Sequence, residues 1–150
     1  MRRDFEGRVA VVTGSTQGLG EAIVRELVAR GAAGVVITGR DTERGAAVVR
    51  DTDASGSRGL FVAADLADPD TPGQIITAAD EAFGRVDVLV NSAAITERDS
   101  LWDSTVDRFD RMMAVNTRAP WFLMQGAAKI MVREGIEGTM VNVLSIAMHG

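Results

Sequence analysis

The chain has 150 residues, 46% of them apolar and 25% charged, with a formal net charge of −5 and no cysteine. That length suits one domain with its own core; the negative balance argues against a nucleic-acid or membrane surface, and the missing cysteines exclude a disulfide framework and thiolate metal sites. The opening MRRDFEGRVAVVTGS lacks the apolar stretch of a signal peptide and no run reaches membrane-spanning length, so a soluble, cytoplasmic protein is expected.

Short apolar runs alternate with helical patterns along the chain. Val9–Thr13 (VAVVT) reads as a buried strand, and Glu21–Arg30 shows helical spacing at Ala22, Val24, Leu27 and Val28. Gly34–Thr38 is a second strand, followed by a helix over Thr42–Arg50 with Asp41 as its cap. Leu60–Ala64 is a third strand. Asp68-Pro69 then reads as the cap and first position of a helix running to about Phe83. Val86–Val90 and Thr139–Leu144 are the fourth and fifth strands, with a long helical segment from about Ser104 to Arg133 between them. Strict alternation of apolar strands with helices predicts an α/β fold: a doubly wound parallel sheet of Rossmann type in three α/β/α layers.

In such a sheet ligands bind beyond the carboxyl ends of the strands, so the chemistry is sought there. After the first strand stands VTGSTQGLG. Gly14 allows a tight turn, Gly18 a close approach of backbone to a pyrophosphate, and Gly20 close packing of helix on sheet. With Ser15, Thr16, Gln17 and Leu19 they form a candidate phosphate cradle at a helix N-terminus. By itself the spacing fits a bare glycine-rich turn as well. After the second strand come Gly39 and Arg40. An acidic side chain there would bind a ribose 2′-hydroxyl, whereas a guanidinium suits a 2′-phosphate. Ser15 and Thr16 are candidate neutral donors to it. Arg40 is otherwise a solvated loop arginine, and Asp41 beside it counts against a phosphate partner; NADP(H) is favoured over NAD(H). Asp65, after the third strand, suits either a cofactor contact or a turn.

On the long helix, Phe109, Met112, Met113 and Asn116 share one stripe, so the Asn116 amide needs a partner. Pro120, four residues on, has no N–H for the Asn116 carbonyl, which predicts either a kink or a helix end. Trp121, Met124, Ala128 and Met131 continue an apolar stripe and favour the kink. His149 is the only histidine; it reads as incidental, and no metal site is expected.

Four motifs in order, T-G-x-x-x-G-x-G at Thr13–Gly20, Asp65, Asn91-Ser92-Ala93-Ala94 and the pair Asn116 and Ser145, resemble the short-chain dehydrogenase/reductase family. Ala94 departs from its usual glycine. The resemblance implies that Asp65 and Leu66 bracket the adenine, and that Asn91, Ala93 and Ala94 lie toward the nicotinamide. It also implies that the Asn116 carbonyl holds a relay water and that Ser145 hydrogen-bonds a substrate carbonyl. The implied reaction is reversible hydride exchange between NADP(H) and a small carbonyl or alcohol, with a dimer or tetramer as the expected homo-oligomer. The family's acid/base is a tyrosine followed by a lysine one helical turn later, which holds down a phenol pKa that is ordinarily about 10. This chain has no tyrosine, and Lys129, its only lysine, precedes Ser145. Residues 1–150 are therefore expected to be a dinucleotide-binding domain incomplete at its C-terminal side, with one helix face and one sheet edge bare. The alternative is a catalytically silent nucleotide- or partner-binding domain. TERDSLWD offers only Arg98 and Trp102 toward a substrate.

Overall fold

Five residues buried along their whole length, Val9–Thr13, form the central strand β1. The computed structural model describes residues 4–97 and 100–145; Arg98 and His149 lie outside them. Around β1 the chain builds α1 (Gly18–Ala29), β2 (Gly34–Gly39), α2 (Thr42–Ala54), β3 (Arg58–Ala63), α3 (Thr71–Phe83) and β4 (Val88–Asn91). There follow α4 (Val106–Met113), a π-helical turn (Ala114–Arg118), α5 (Ala119–Glu134) and β5 (Thr139–Asn142). All pairings are parallel and the strand order is β3-β2-β1-β4-β5. The doubly wound sheet is present as expected.

Period-two alternation explains why both faces of the strands are apolar. Val11, Val36 and Leu89 point to one side, where Ile75, Ala79, Leu123 and Ala127 of α3 and α5 cover them. Ala10, Val12, Val35, Ile37, Val88 and Val90 point to the other, against Val24 and Leu27 of α1 and Val48 of α2. Right-handed crossovers force this division, because the chain leaves β1 toward one edge and returns to start β4 on the other side of it. The carboxyl ends of β1 and β4 are thus where the winding reverses.

Several boundaries differ from expectation. Asp68-Pro69 does not start α3: the Asp65 side chain accepts from Ala67 N at 3.0 Å and that of Asp68 from Asp70 N at 2.8 Å. Two successive aspartate turns delay the helix to Thr71, with Pro72 in its first turn. Strand β3 begins at Arg58, whose N–H bonds Ala33 O at 2.9 Å, and β4 begins only at Val88. Asp41 does cap α2, accepting from Arg44 N at 3.0 Å. The long helix continues through Pro120 with a π turn in place of a stop. Its buried stripe is Val115, Ala119, Leu123, Ala127 and Ile130, and Trp121 of the expected stripe is exposed. The wider π turn carries the first step of that stripe. Phe109, Met113, Trp121 and Phe122 leave an apolar face of α4 and α5 open, and β5 is an outer strand.

Asp87 joins the strands at their amino ends. It is 5% exposed. Its carboxylate accepts from Val9 N at 2.9 Å and from the Arg85 fork at 2.6 and 2.8 Å, while its carbonyl accepts from Thr139 N at 2.9 Å. Burial pushes this carboxyl up, but the Arg85 fork, the Val9 amide and the nearby Arg8 outweigh it and hold the group below the ordinary aspartate value. The stabilisation is therefore complete above the unfolded aspartate pKa of about 3.9 and is lost as pH falls through the lower folded value. Urea unfolding of Asp87→Ala should show a loss of about 1–3 kcal/mol at neutral pH, from the donors left unsatisfied. Asp87→Asn should flatten the acid side of the stability profile; an unchanged acid limb would contradict this account.

Candidate functional site

Where the winding reverses, the end of β1 and the loop after β4 meet without space between them. Thr13 Oγ1 accepts from Ser92 N at 3.1 Å and from Ala93 N at 3.2 Å. Gly14 turns with φ +64°, and a Cβ on it would stand 2.8 Å from Ala93 Cα. At Gly20 a Cβ would lie 2.3 Å from Gly14 O, so only glycine lets α1 start this close to the strand end. Gln17 precedes α1 and makes no side-chain cap to it, and uncapped amides at a helix N-terminus favour an anion. Beside this turn opens a cavity of about 380 Å³ lined by Gly14, Thr16, Gln17, Gly18, Leu19 and Gly20 of the glycine-rich segment. Arg40, Asp65, Leu66, Ala93 and Ala94 also line it with Gly39 and Ser92, and so do Ile95, Arg111 and Val115, which sequence reading did not single out. A larger hollow of about 720 Å³ lies between α1 and α2 at the opposite end of the sheet. Its Arg25 is already paired with Glu21 and Asp51.

Two of the expected residues make hydrogen bonds within the scaffold. Ser15 is fully buried: its hydroxyl donates to Val12 O at 2.7 Å and accepts from Thr38 N at 3.0 Å, so it has no donor left for a phosphate. Asn91 is 3% exposed and donates to Asn142 Oδ1 at 2.8 Å, tying β4 to β5 and not lining the cavity. Neither bond was legible locally, because the partners stand 23 and 51 positions away.

At the β2 end the space is already taken. A Cβ on Gly39 would meet Thr16 Cγ2 at 2.6 Å and Oγ1 at 2.8 Å. Arg40 is exposed, and among the described residues it has no ion-pair partner within 4.0 Å. Asp41, its neighbour in sequence, is instead engaged by α2, with Oδ1 on Arg44 N at 3.0 Å and Oδ2 on Arg44 Nε at 3.2 Å.

Across the cavity, Asp65 is held below its ordinary pKa by the Ala67 amide, the Arg111 guanidinium at 3.3 Å and the charge of Arg40. Arg118 donates to Ala67 O at 2.5 Å, so α4 and the π turn grip the β3 loop at two points. The same segment grips the β4 loop. Asn116 Oδ1 accepts from Ile95 N at 2.8 Å, and its Nδ2 donates to Ile95 O at 2.9 Å. The amide thus finds its partner in a loop backbone, and its side chain is exposed, not buried among the apolar residues of the expected stripe. Ala119 N bonds the Ala114 carbonyl five residues back, and Pro120 has no N–H for the Asn116 carbonyl. Ser145 is exposed beyond β5, two residues after Val143, whose N–H bonds Asn91 O at 3.0 Å.

The model of the short chain dehydrogenase family matches residues 8–149. The chain belongs to that family. The chain is 34% identical over 143 residues to L-rhamnose 1-dehydrogenase (NAD(P)(+)) of Sphingomonas sp. (strain SKA58), covering 95% of this chain and 56% of that protein. It is 37% identical over 143 residues to 2-(R)-hydroxypropyl-CoM dehydrogenase of Xanthobacter autotrophicus, covering 93% and 57%. A crystal structure of a metagenomic short-chain oxidoreductase in complex with NADP superposes with a TM-score of 0.88 at 37% identity, over 97% of this chain and 66% of that one. A blue fluorescent protein from a metagenomic library, in complex with NADPH, gives 0.86 at 35% identity, over 95% and 57%. The chain spans little more than half the length of the two curated relatives. Among the described residues, no helix is long and apolar enough to cross a membrane, and no group of three or more His, Cys, Asp or Glu is placed to hold a metal ion.

The Asn116 clamp can be broken cleanly. Asn116→Ala should cost about 1–2 kcal/mol, two ordinary hydrogen bonds, and should speed amide exchange at Ile95 while leaving β1 and β4 protected. Unchanged exchange at Ile95 would show that the loop holds its shape without the amide.

Proposed function

We propose that the protein carrying these residues is an NADP(H)-dependent oxidoreductase acting on a small carbonyl or alcohol. The observation that carries the reading is the β2 end: Arg40 has no ion-pair partner among the described residues, and Thr16 fills the space an acidic side chain at residue 39 would need. A ribose 2′-hydroxyl is recognised by such an acid, and a 2′-phosphate by an arginine. The NADP and NADPH named with the solved relatives agree with this. The residues fit a dinucleotide: the Gly14 and Gly20 backbones leave no room for side chains, the first turn of α1 offers amides to the pyrophosphate, and the cavity of about 380 Å³ lies within the ordinary range of ligand sites, ~300–1,000 Å³.

Arg40 would hold the 2′-phosphate, the Gly14–Gly20 turn the pyrophosphate, and Asp65 with Leu66 the adenine. Ala93 and Ala94 would border the nicotinamide end. A bound nicotinamide supplies hydride chemistry. The chain's own part is to orient: Ser145 would donate to the substrate oxygen, while the Asn116 carbonyl, without the donor a regular helix would supply at Pro120, would hold a relay water. These residues hold no tyrosine, so the tyrosine acid/base that the family resemblance implies would be supplied from outside them. A catalytically silent nucleotide-binding domain is the second reading, favoured by that same absence. We also place contact with a second copy on the open face of Phe109, Trp121 and Phe122; sedimentation of the full-length protein as a monomer would refute it.

In the full-length protein, Arg40→Gln should weaken NADPH binding about tenfold or more, the worth of one charge-assisted bond pair, and leave NADH nearly unchanged. Gly39→Asp should lower NADPH binding further by displacing Thr16. Oxidation of NADPH by simple ketones, followed by loss of reduced-nicotinamide absorbance, tests the activity itself. Tight NADPH binding without turnover of any ketone or alcohol would favour the silent domain.

A further inference from the structure

The NADP(H) reading leaves one charge unexplained. Asp41 adjoins Arg40, and a bare carboxylate there would repel a 2′-phosphate and draw off the arginine meant for it. The structure shows why it does neither. One Asp41 oxygen accepts from Arg44 N at 3.0 Å as the cap of α2, and the other pairs with Arg44 Nε at 3.2 Å. The Arg44 guanidinium is anchored a second time, on Gln17 Oε1, in the glycine-rich turn that lines the cavity. Arg44 therefore spans from α2 to the cradle with the acid held against it, and Arg40 is left without an ion-pair partner among the described residues.

We propose that Arg44 is a positioning residue for cofactor choice: by neutralising Asp41 it keeps Arg40 available to the 2′-phosphate. The inference rests on the NADP(H) reading. It assigns the preference to a three-residue charge arrangement, Arg40 with the Asp41–Arg44 pair, and not to Arg40 alone. Asp41 caps α2, and Arg44 offsets the charge of that cap beside the place where the 2′-phosphate would sit.

Titration of the full-length protein with NADPH and with NADH, followed by nucleotide fluorescence, tests this. Arg44→Gln should lower NADPH affinity about tenfold and change NADH affinity by less than about twofold, since only the 2′-phosphate feels the exposed carboxylate. Adding Asp41→Asn, which still caps a helix, should return NADPH affinity to near the wild-type value, and Arg44→Lys should keep most of it. A purely structural role would instead lower both affinities and the melting temperature together. An unchanged NADPH-to-NADH ratio in Arg44→Gln, or no rescue by Asp41→Asn, would overturn the proposal. A wild-type protein that binds both cofactors equally would sink the cofactor reading, and this inference with it.

Discussion

At the point where the sheet changes winding direction, two loops are locked together by one hydroxyl and one absent methyl. Thr13 Oγ1 takes the N–H groups of Ser92 and Ala93, and Gly14 lies so close to Ala93 that a Cβ could not stand between them. Everything at the carboxyl side of the sheet depends on this contact. It sets the exit of β1, and hence where α1 begins, and it sets the path of the β4 loop, and hence where Ile95 meets Asn116. Parallel strands alone would leave a crevice here; the lock gives that crevice definite walls.

Those walls are held from outside by a single helical segment. Arg111 and Arg118 reach the β3 loop and Asn116 the β4 loop, so one rigid element spans both sides of the cavity. A loop would be a poor choice for this task, because its own backbone freedom would pass into the site. With Asp87 binding the strands at their other end, the sheet is fixed at both ends by polar groups and between them by apolar packing.

The framework was legible because it rests on local rules. Alternating apolar runs identify the strands, and Asp41 three residues before the Arg44 amide identifies a cap. The glycines of VTGSTQGLG, read against later strand ends, point to the cavity wall they form. What was illegible is long-range pairing. Ser15 and Asn91 look like ligands in a motif, yet the Ser15 hydroxyl is spent on Val12 and Thr38, and the Asn91 Nδ2 reaches across to Asn142. Arg111 carries no local signal at all, since its meaning lies in Asp65, 46 positions away. The late start of α3 had a different cause: DLADPD holds three aspartates, and side-chain turns competed with the helix for the same backbone amides.

The π turn also governs the phase of the helix beyond it. Each residue of a regular helix rotates the chain by about 100°, so a helix with one residue more or less presents a different face from that point on. The stripe that buries Leu123, Ala127 and Ile130 against the sheet is in register with the Asn116 clamp only across the five residues Ala114–Arg118. Winding the same five residues as a regular helix would rotate everything beyond them by about 100° and turn Leu123 out of the core. The irregularity works as a spacer, matching a helix face dictated by packing to an amide dictated by the site.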